Sequence, residues 1–212
     1  GFSEKPDRDD YTYSQDERDE HLAAFIEALG AGPVILVGNS MGGLTSLSVA
    51  GTRPDLVARL VLMGSAGVPV PMSPQLGTII NYDFSVEGME AIVEALTGPD
   101  FVAPAGMVTY RHQLSTDADT RRAYKAITGW NKARGGLHVD EALIRAIAVP
   151  TLVTGGKDDG VVPVSCAYKF LDLIEQSYGF IFPRCGHWPM IEFPAQFAQV
   201  VNDFIQMDAL SA

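Results

Sequence analysis

The sequence predicts an α/β fold, a mostly parallel sheet covered by helices and interrupted by one inserted helical segment. Three observations predict it. Four short apolar runs, at 33–38, 59–64, 149–156 and 178–183, are each flanked by Gly or Pro. They lack the apolar–polar alternation of a sheet with one wet face. Segments with helical spacing stand between them, and such alternation of strand and helix marks a parallel sheet covered on both faces.

The elements follow in order. Ser14 and Glu17 form a capping box, after which Leu22, Phe25, Ile26 and Leu29 recur at helical spacing until Gly30 stops the pattern. "PVILVG" (33–38) then reads as a strand buried on both faces, and residues 41–51 as a helix. "RLVLMG", "VPTLVTGG" and "YGFIFP" read as the next three strands, with a helical "VSCAYKFLDLIEQS" between the last two. At the end Pro194 occupies a first helical turn, and Phe197, Val200, Val201, Phe204 and Ile205 form one apolar stripe. The stretch 68–148 opens with Pro69, Pro71 and Pro74 and carries several helical patterns without a strand, too long for a simple crossover. It is expected to be a helical lid, so that 1–67 and 149–212 make the core.

Composition narrows the function. The chain has 212 residues, 47% of them hydrophobic and 19% charged, which suits one globular domain with an insertion. A net charge of -11 excludes the basic stripe that nucleic-acid binding requires. Two cysteines, Cys166 and Cys185, are too few for a disulfide framework, and no apolar stretch has membrane-spanning length or the form of a leader. A cytoplasmic protein with no membrane partner is expected. No His, Cys, Asp or Glu cluster has metal-ligand spacing and no Gly-rich phosphate loop is visible, so neither metal nor organic cofactor is expected.

The chemistry is concentrated in "VILVGNSMGG". A strand that turns into a helix through one residue holds that residue's side chain clear of the sheet, and bulk two residues to either side would collide with the neighbouring elements. Gly38 and Gly42 therefore flank Ser40, in a Gly-x-Ser-x-Gly nucleophile elbow. A serine hydroxyl is a weak nucleophile and needs a histidine base oriented by a carboxylate. After an elbow the acid and the histidine should follow in that order at later strand ends. His187 alone among the four histidines directly follows a predicted sheet strand; His21 falls in the first helix, and His112 and His138 in the lid. Either Asp158 or Asp159 could be the acid, since one could orient the imidazole and the other cap a helix. The backbone N–H of Met41, just after the nucleophile, is an expected oxyanion donor.

The motifs Gly38-Asn39-Ser40-Met41-Gly42-Gly43, Gly156-Lys157-Asp158-Asp159 with Val162-Pro163, and Cys185-Gly186-His187-Trp188 resemble the α/β-hydrolase superfamily. More narrowly they resemble the meta-cleavage product hydrolases of aromatic degradation, along the whole chain. "VLMGSAG", "INYDF" and "KFLDLI" are similar to the branch acting on aminophenyl dienoates.

The resemblance implies Asp159 as the acid, three residues after Gly156 and four before Pro163. It implies substrate-binding roles for Asn39 and Trp188, and for a lid arginine, Arg111, at the carboxylate end of an anionic dienoate. A fixed guanidinium also has a physical case, because an acidic protein must supply its positive charge locally. The implied reaction ketonises the dienol, attacks the ketone with Ser40, releases a hydroxypentadienoate and frees the aromatic acid by hydrolysis.

"GFSEKP" resembles the loop after the fourth strand of relatives. The first strands and the His-Gly-rich loop with the second oxyanion donor are therefore expected to be missing. Losing one donor costs about 3–4 kcal/mol at the transition state, so the 212 residues alone are expected to be inactive or insoluble. Two other functions remain open, an esterase or thioesterase on the same scaffold and a non-catalytic binding protein. A homodimer or higher homo-oligomer is also open.

Overall fold

The computed structural model describes residues 11–207, so "GFSEKP" lies outside the described residues. Four strands, β1 (Val34–Asn39), β2 (Val57–Met63), β3 (Thr151–Gly156) and β4 (Ser177–Phe182), form a sheet in the order β1-β2-β3-β4, every pair parallel. Parallel neighbours need crossovers, and helices supply them. Helix α1 (Gln15–Leu29) leads into β1 with the expected capping box at Ser14 and a left-handed Gly30 at its C-terminal end. Helix α2 (Met41–Thr52) joins β1 to β2.

Five helices separate β2 from β3: α3 (Pro74–Ile80), α4 (Val86–Leu96), α5 (Met107–Thr116), α6 (Ala118–Arg134) and α7 (Glu141–Arg145). α3, α4, α5 and α6 pack on one another in sequence, whereas α7 packs on α2 and α8 (Val164–Leu173). Gly51 permits that approach, since a Cβ there would sit 2.7 Å from a Leu143 methyl. After β4 come the short α9 (Pro189–Glu192) and α10 (Pro194–Gln206).

The main core lies between the sheet and the α2, α7 and α8 layer, around Leu47, Leu60, Leu62, Ile144, Phe170 and Ile174. Across the sheet, Phe204 of α10 packs on Val61 and Leu152, with Val200 and Val201 beside it. This helix covers only part of that face. In β1 burial alternates, and Ile35 and Val37 are 38% and 48% exposed. The expectation that β1 is buried on both faces is therefore corrected. α2 covers one face, and no described element covers the other.

The aromatic residues of 68–148 behave unequally. Tyr82, Phe84 and Tyr124 form a cluster of tilted and edge-on rings. Trp130 has Arg18 and Arg134 over its ring. Tyr110 on α5 is exposed.

Between α1 and α2, Asp19 accepts hydrogen bonds from Ser48 and Gln15, and burial raises its pKa to about 6. A raised carboxyl holds its proton in the folded chain while the unfolded chain releases it, so this contribution to stability is lost as pH climbs from about 4 through 6. Asp19→Asn should remove that loss. The stability of the variant relative to the parent, followed by thermal melts, is expected to be higher at pH 8 than at pH 4 by roughly 1 kcal/mol after allowing for solvent screening.

Candidate active site

Three strand ends meet at one place. β1 ends at Asn39 and α2 begins at Met41, so Ser40 must make the turn alone, and its φ of 54° and ψ of -120° lie in a region that L-residues rarely occupy. Strain of this kind costs about 1–3 kcal/mol and persists only when surroundings impose it. Here Ser40 N–H donates to the Met63 carbonyl at 3.1 Å, and the Ser40 carbonyl accepts from Ala66 N–H at 3.1 Å. Its side chain does not cap the helix.

The close approach of strand and helix explains the glycines, with one correction. A Cβ at Gly38 would lie 2.5 Å from the Gly42 carbonyl oxygen, and one at Gly43 would lie 2.3 Å from Ser65 Oγ. A Cβ at Gly42 would meet nothing within 4 Å. Gly38 and Gly43 carry the constraint, because it is the carbonyl of residue 42, rather than its α-hydrogen, that faces β1.

The carboxylate comes from the loop after β3. Asp159 is buried; its Oδ1 accepts from Val161 N–H at 2.8 Å and Val162 N–H at 2.9 Å. Its Oδ2 lies 2.7 Å from Nδ1 of His187, also buried. Asp158 is exposed, so of the two aspartates it is Asp159 that bonds the ring. Gly64, with φ of 49°, lies against the pair: a Cβ there would stand 3.0 Å from His187 Nδ1 and 3.2 Å from Asp159 Oδ2. Gly64 lies in the turn between Met63 and Ala66, both of which bond the Ser40 backbone, so the segment that holds the Ser40 turn also packs against the His187–Asp159 pair.

Among the described residues no hydrogen bond joins the Ser40 hydroxyl to the ring. Such bonds are often loose before substrate binds and tighten in the complex. The first-turn amides of α2, Met41 among them, have no acceptor within the helix and face the same end of the sheet.

The remaining predicted residues surround this point. Asn39 Nδ2 donates to the Met63 carbonyl at 2.9 Å and to the His187 carbonyl at 3.3 Å, so it braces β1 against the histidine loop. Trp188 is buried in the main core, and the guanidinium of Arg111, on α5, stands 4.5 Å over its ring. Among the described residues Arg111 forms no ion pair with a carboxylate, its Nε is buried without a hydrogen-bond partner, and burial pulls its pKa below the usual arginine value. Burial and the nearby Glu192 push the Cys185 thiol pKa far up, which disfavours its thiolate.

The α/β-hydrolase fold family matches residues 1–194. A 2-hydroxy-6-oxo-6-(2'-aminophenyl)hexa-2,4-dienoic acid hydrolase from Metapseudomonas resinovorans is 50% identical over 210 residues, 99% of this chain and 72% of that protein. The chain belongs to the meta-cleavage product hydrolases of the α/β-hydrolase family.

A second member, the 2-hydroxymuconate semialdehyde hydrolase of Pseudomonas sp. (strain CF600), is 33% identical over 97% of this chain and 72% of its own length. The crystal structure of a serine hydrolase involved in carbazole degradation superposes on this meta-cleavage product hydrolase with a TM-score of 0.87. It shares 48% identity and covers 95% of this chain and 74% of its own.

Two residues of this meta-cleavage product hydrolase escaped the sequence reading. Gly64 ends the run "RLVLMG" and looks like a simple strand terminator. Glu192 lies five residues beyond His187 and reaches back to the Gly186 amide. A glycine pair, Gly98 and Gly186, was the only signal for it, and the pairing is invisible until the fold joins them. Among the described residues no helix is long and apolar enough to cross a membrane, and no group of three or more His, Cys, Asp or Glu is placed to hold a metal.

Proposed function

We propose that this carbon-carbon hydrolase acts on a 2-hydroxy-6-oxo-6-aryl-hexa-2,4-dienoate, with Ser40 as nucleophile, His187 as base and Asp159 as the group that orients it. The observation that supports the choice of substrate is Arg111, a half-buried arginine stacked on the residue next to His187 with its Nε buried and unpartnered. An anionic end group supplies the partner that the described residues do not, and charge-assisted bonds to it fix the chain of the dienoate relative to the imidazole. The substrate named for the M. resinovorans relative fits that demand, since it carries a carboxylate at one end and a ketone at the other.

Each step then has a residue. Once the dienol is ketonised, His187 takes the Ser40 proton as Oγ bonds to the ketone carbon, and the resulting oxyanion points at the Met41 N–H. Collapse breaks the carbon-carbon bond, His187 returns the proton to the departing dienoate carbon, and the aryl acyl group stays on Ser40. Water, deprotonated by His187, releases the aromatic acid. Asn39, its amide engaged by two carbonyls, acts by holding the histidine loop, and Trp188 by presenting a ring face to Arg111. Residues 68–148 serve as the lid over a core of 1–67 and 149–212, with α7 as the root of the lid on that core. We place the reaction in the cytoplasm.

The test uses the full-length protein, the parent of every variant, and compares a ring-fission dienoate with simple aryl esters. kcat/KM is expected to favour the dienoate, and Arg111→Ala to lower it about a hundredfold for the dienoate while leaving ester cleavage within threefold. Preference for the esters by the parent protein would instead establish an esterase.

A further inference from the structure

The histidine loop and the lid are joined at one carboxylate. Glu192, at the end of α9, accepts from Gly98 N–H at 2.8 Å through Oε2 and from Gly186 N–H at 3.0 Å through Oε1. Gly98 belongs to the connector after α4, and Gly186 immediately precedes His187. The two backbones touch. A Cβ at Gly186 would lie 2.5 Å from the Thr97 carbonyl carbon, and one at Gly98 would lie 2.5 Å from the Arg184 carbonyl oxygen. His187 N–H donates to the Leu96 carbonyl at 2.9 Å, completing the seam, while Arg184 and Asp100 form an exposed ion pair at its outer end.

The same connector leads to α5 and thus to Arg111, whose guanidinium rests on Trp188. The seam therefore links the group that holds one end of the substrate to the group that moves protons at the other. Two amides that converge on one carboxylate make charge-assisted hydrogen bonds, which are stronger and more directional than neutral ones. A misplacement of 1 Å at a reacting group can cost about a hundredfold in rate.

We propose that Glu192 is a positioning residue: its carboxylate clamps the Gly186 and Gly98 amides together and so holds the His187 ring, through its own loop, in register with Ser40 and the lid. This rests on the triad proposed above. It does not depend on the identity of the substrate.

The experiment measures the second-order rate at which a serine-reactive phosphonate labels Ser40 in the full-length parent protein and in its Glu192→Gln, Glu192→Ala and Arg184→Ala variants. Glu192→Gln keeps the shape but places an NH2 group against an amide N–H. It should stay folded, with at most a small drop in melting temperature, but label at least tenfold more slowly than the parent, and its Gly98 and Gly186 amides should exchange hydrogen faster. On the dienoate, kcat should fall by a similar factor with KM within threefold. Arg184→Ala, which breaks only the exposed pair, should label within twofold of the parent. Labelling of Glu192→Gln within twofold of the parent would overturn the proposal, as would an equal loss in Arg184→Ala. If Glu192→Ala does not fold, Glu192→Gln decides. A parent that labels at Ser40 but fails to cleave dienoates would sink the substrate assignment and leave this comparison intact.

Discussion

Asp159→Asn is expected to lower kcat about ten-thousandfold with the fold retained. The asparagine oxygen can still accept from Val161 N–H and Val162 N–H, so the loop keeps its two anchoring bonds. Its NH2 group, however, replaces the oxygen that lies 2.7 Å from His187 Nδ1. Nδ1 must then accept a hydrogen bond, the ring proton moves to Nε2, and the nitrogen that should take the serine proton already carries one. Turnover measured alongside a thermal melt separates this from unfolding. A loss below tenfold in a folded variant would mean that the carboxylate does not orient the ring.

Gly156→Ala should have the next largest effect, and its neighbour provides the contrast. A Cβ at Gly156 would stand 2.0 Å from the Gly186 carbonyl oxygen and 2.3 Å from that of Cys185, backbone atoms that no rotamer change can move aside. The histidine loop must shift bodily. Forced overpacking of this kind costs about 1–3 kcal/mol or more, and displacement of the imidazole should remove at least a further hundredfold in rate. A Cβ at Gly155 would sit 3.7 Å from Ala167 Cβ, in ordinary contact, so Gly155→Ala should fold and turn over normally. Urea unfolding and turnover of the two variants check the pair, and equal behaviour would contradict the packing of β3 against the loop before His187.

What was legible in the sequence was whatever rests on local pattern. The capping box at Ser14, the four apolar runs and the turn at Ser40 each lie within a few consecutive residues, and each stands where the pattern put it. What was not legible depends on how distant segments meet. An apolar run does not say whether a helix covers its second face, so β1 was expected to be buried where Ile35 and Val37 are open. Gly42 fits the elbow pattern as well as Gly38 does, yet only the packing of α2 on β1 shows that one of them has room for a side chain. Residue types alone left Asp158 and Asp159 open, because the decision lies in the amides of Val161 and Val162, which hold one carboxylate inward while the other faces solvent. Arg111 could be nominated by charge, but its seat on Trp188 depends on α5 meeting the loop that follows β4.

The central claim is that Ser40 is made nucleophilic by the buried His187–Asp159 pair at its side. The most direct measurement is mass-spectrometric mapping of the covalent adduct formed with a serine-reactive phosphonate, on the parent protein and on His187→Ala. One adduct at Ser40, lost or slowed at least a thousandfold in His187→Ala, is the predicted result. An adduct on another residue, or equally fast labelling of Ser40 without the imidazole, would contradict it.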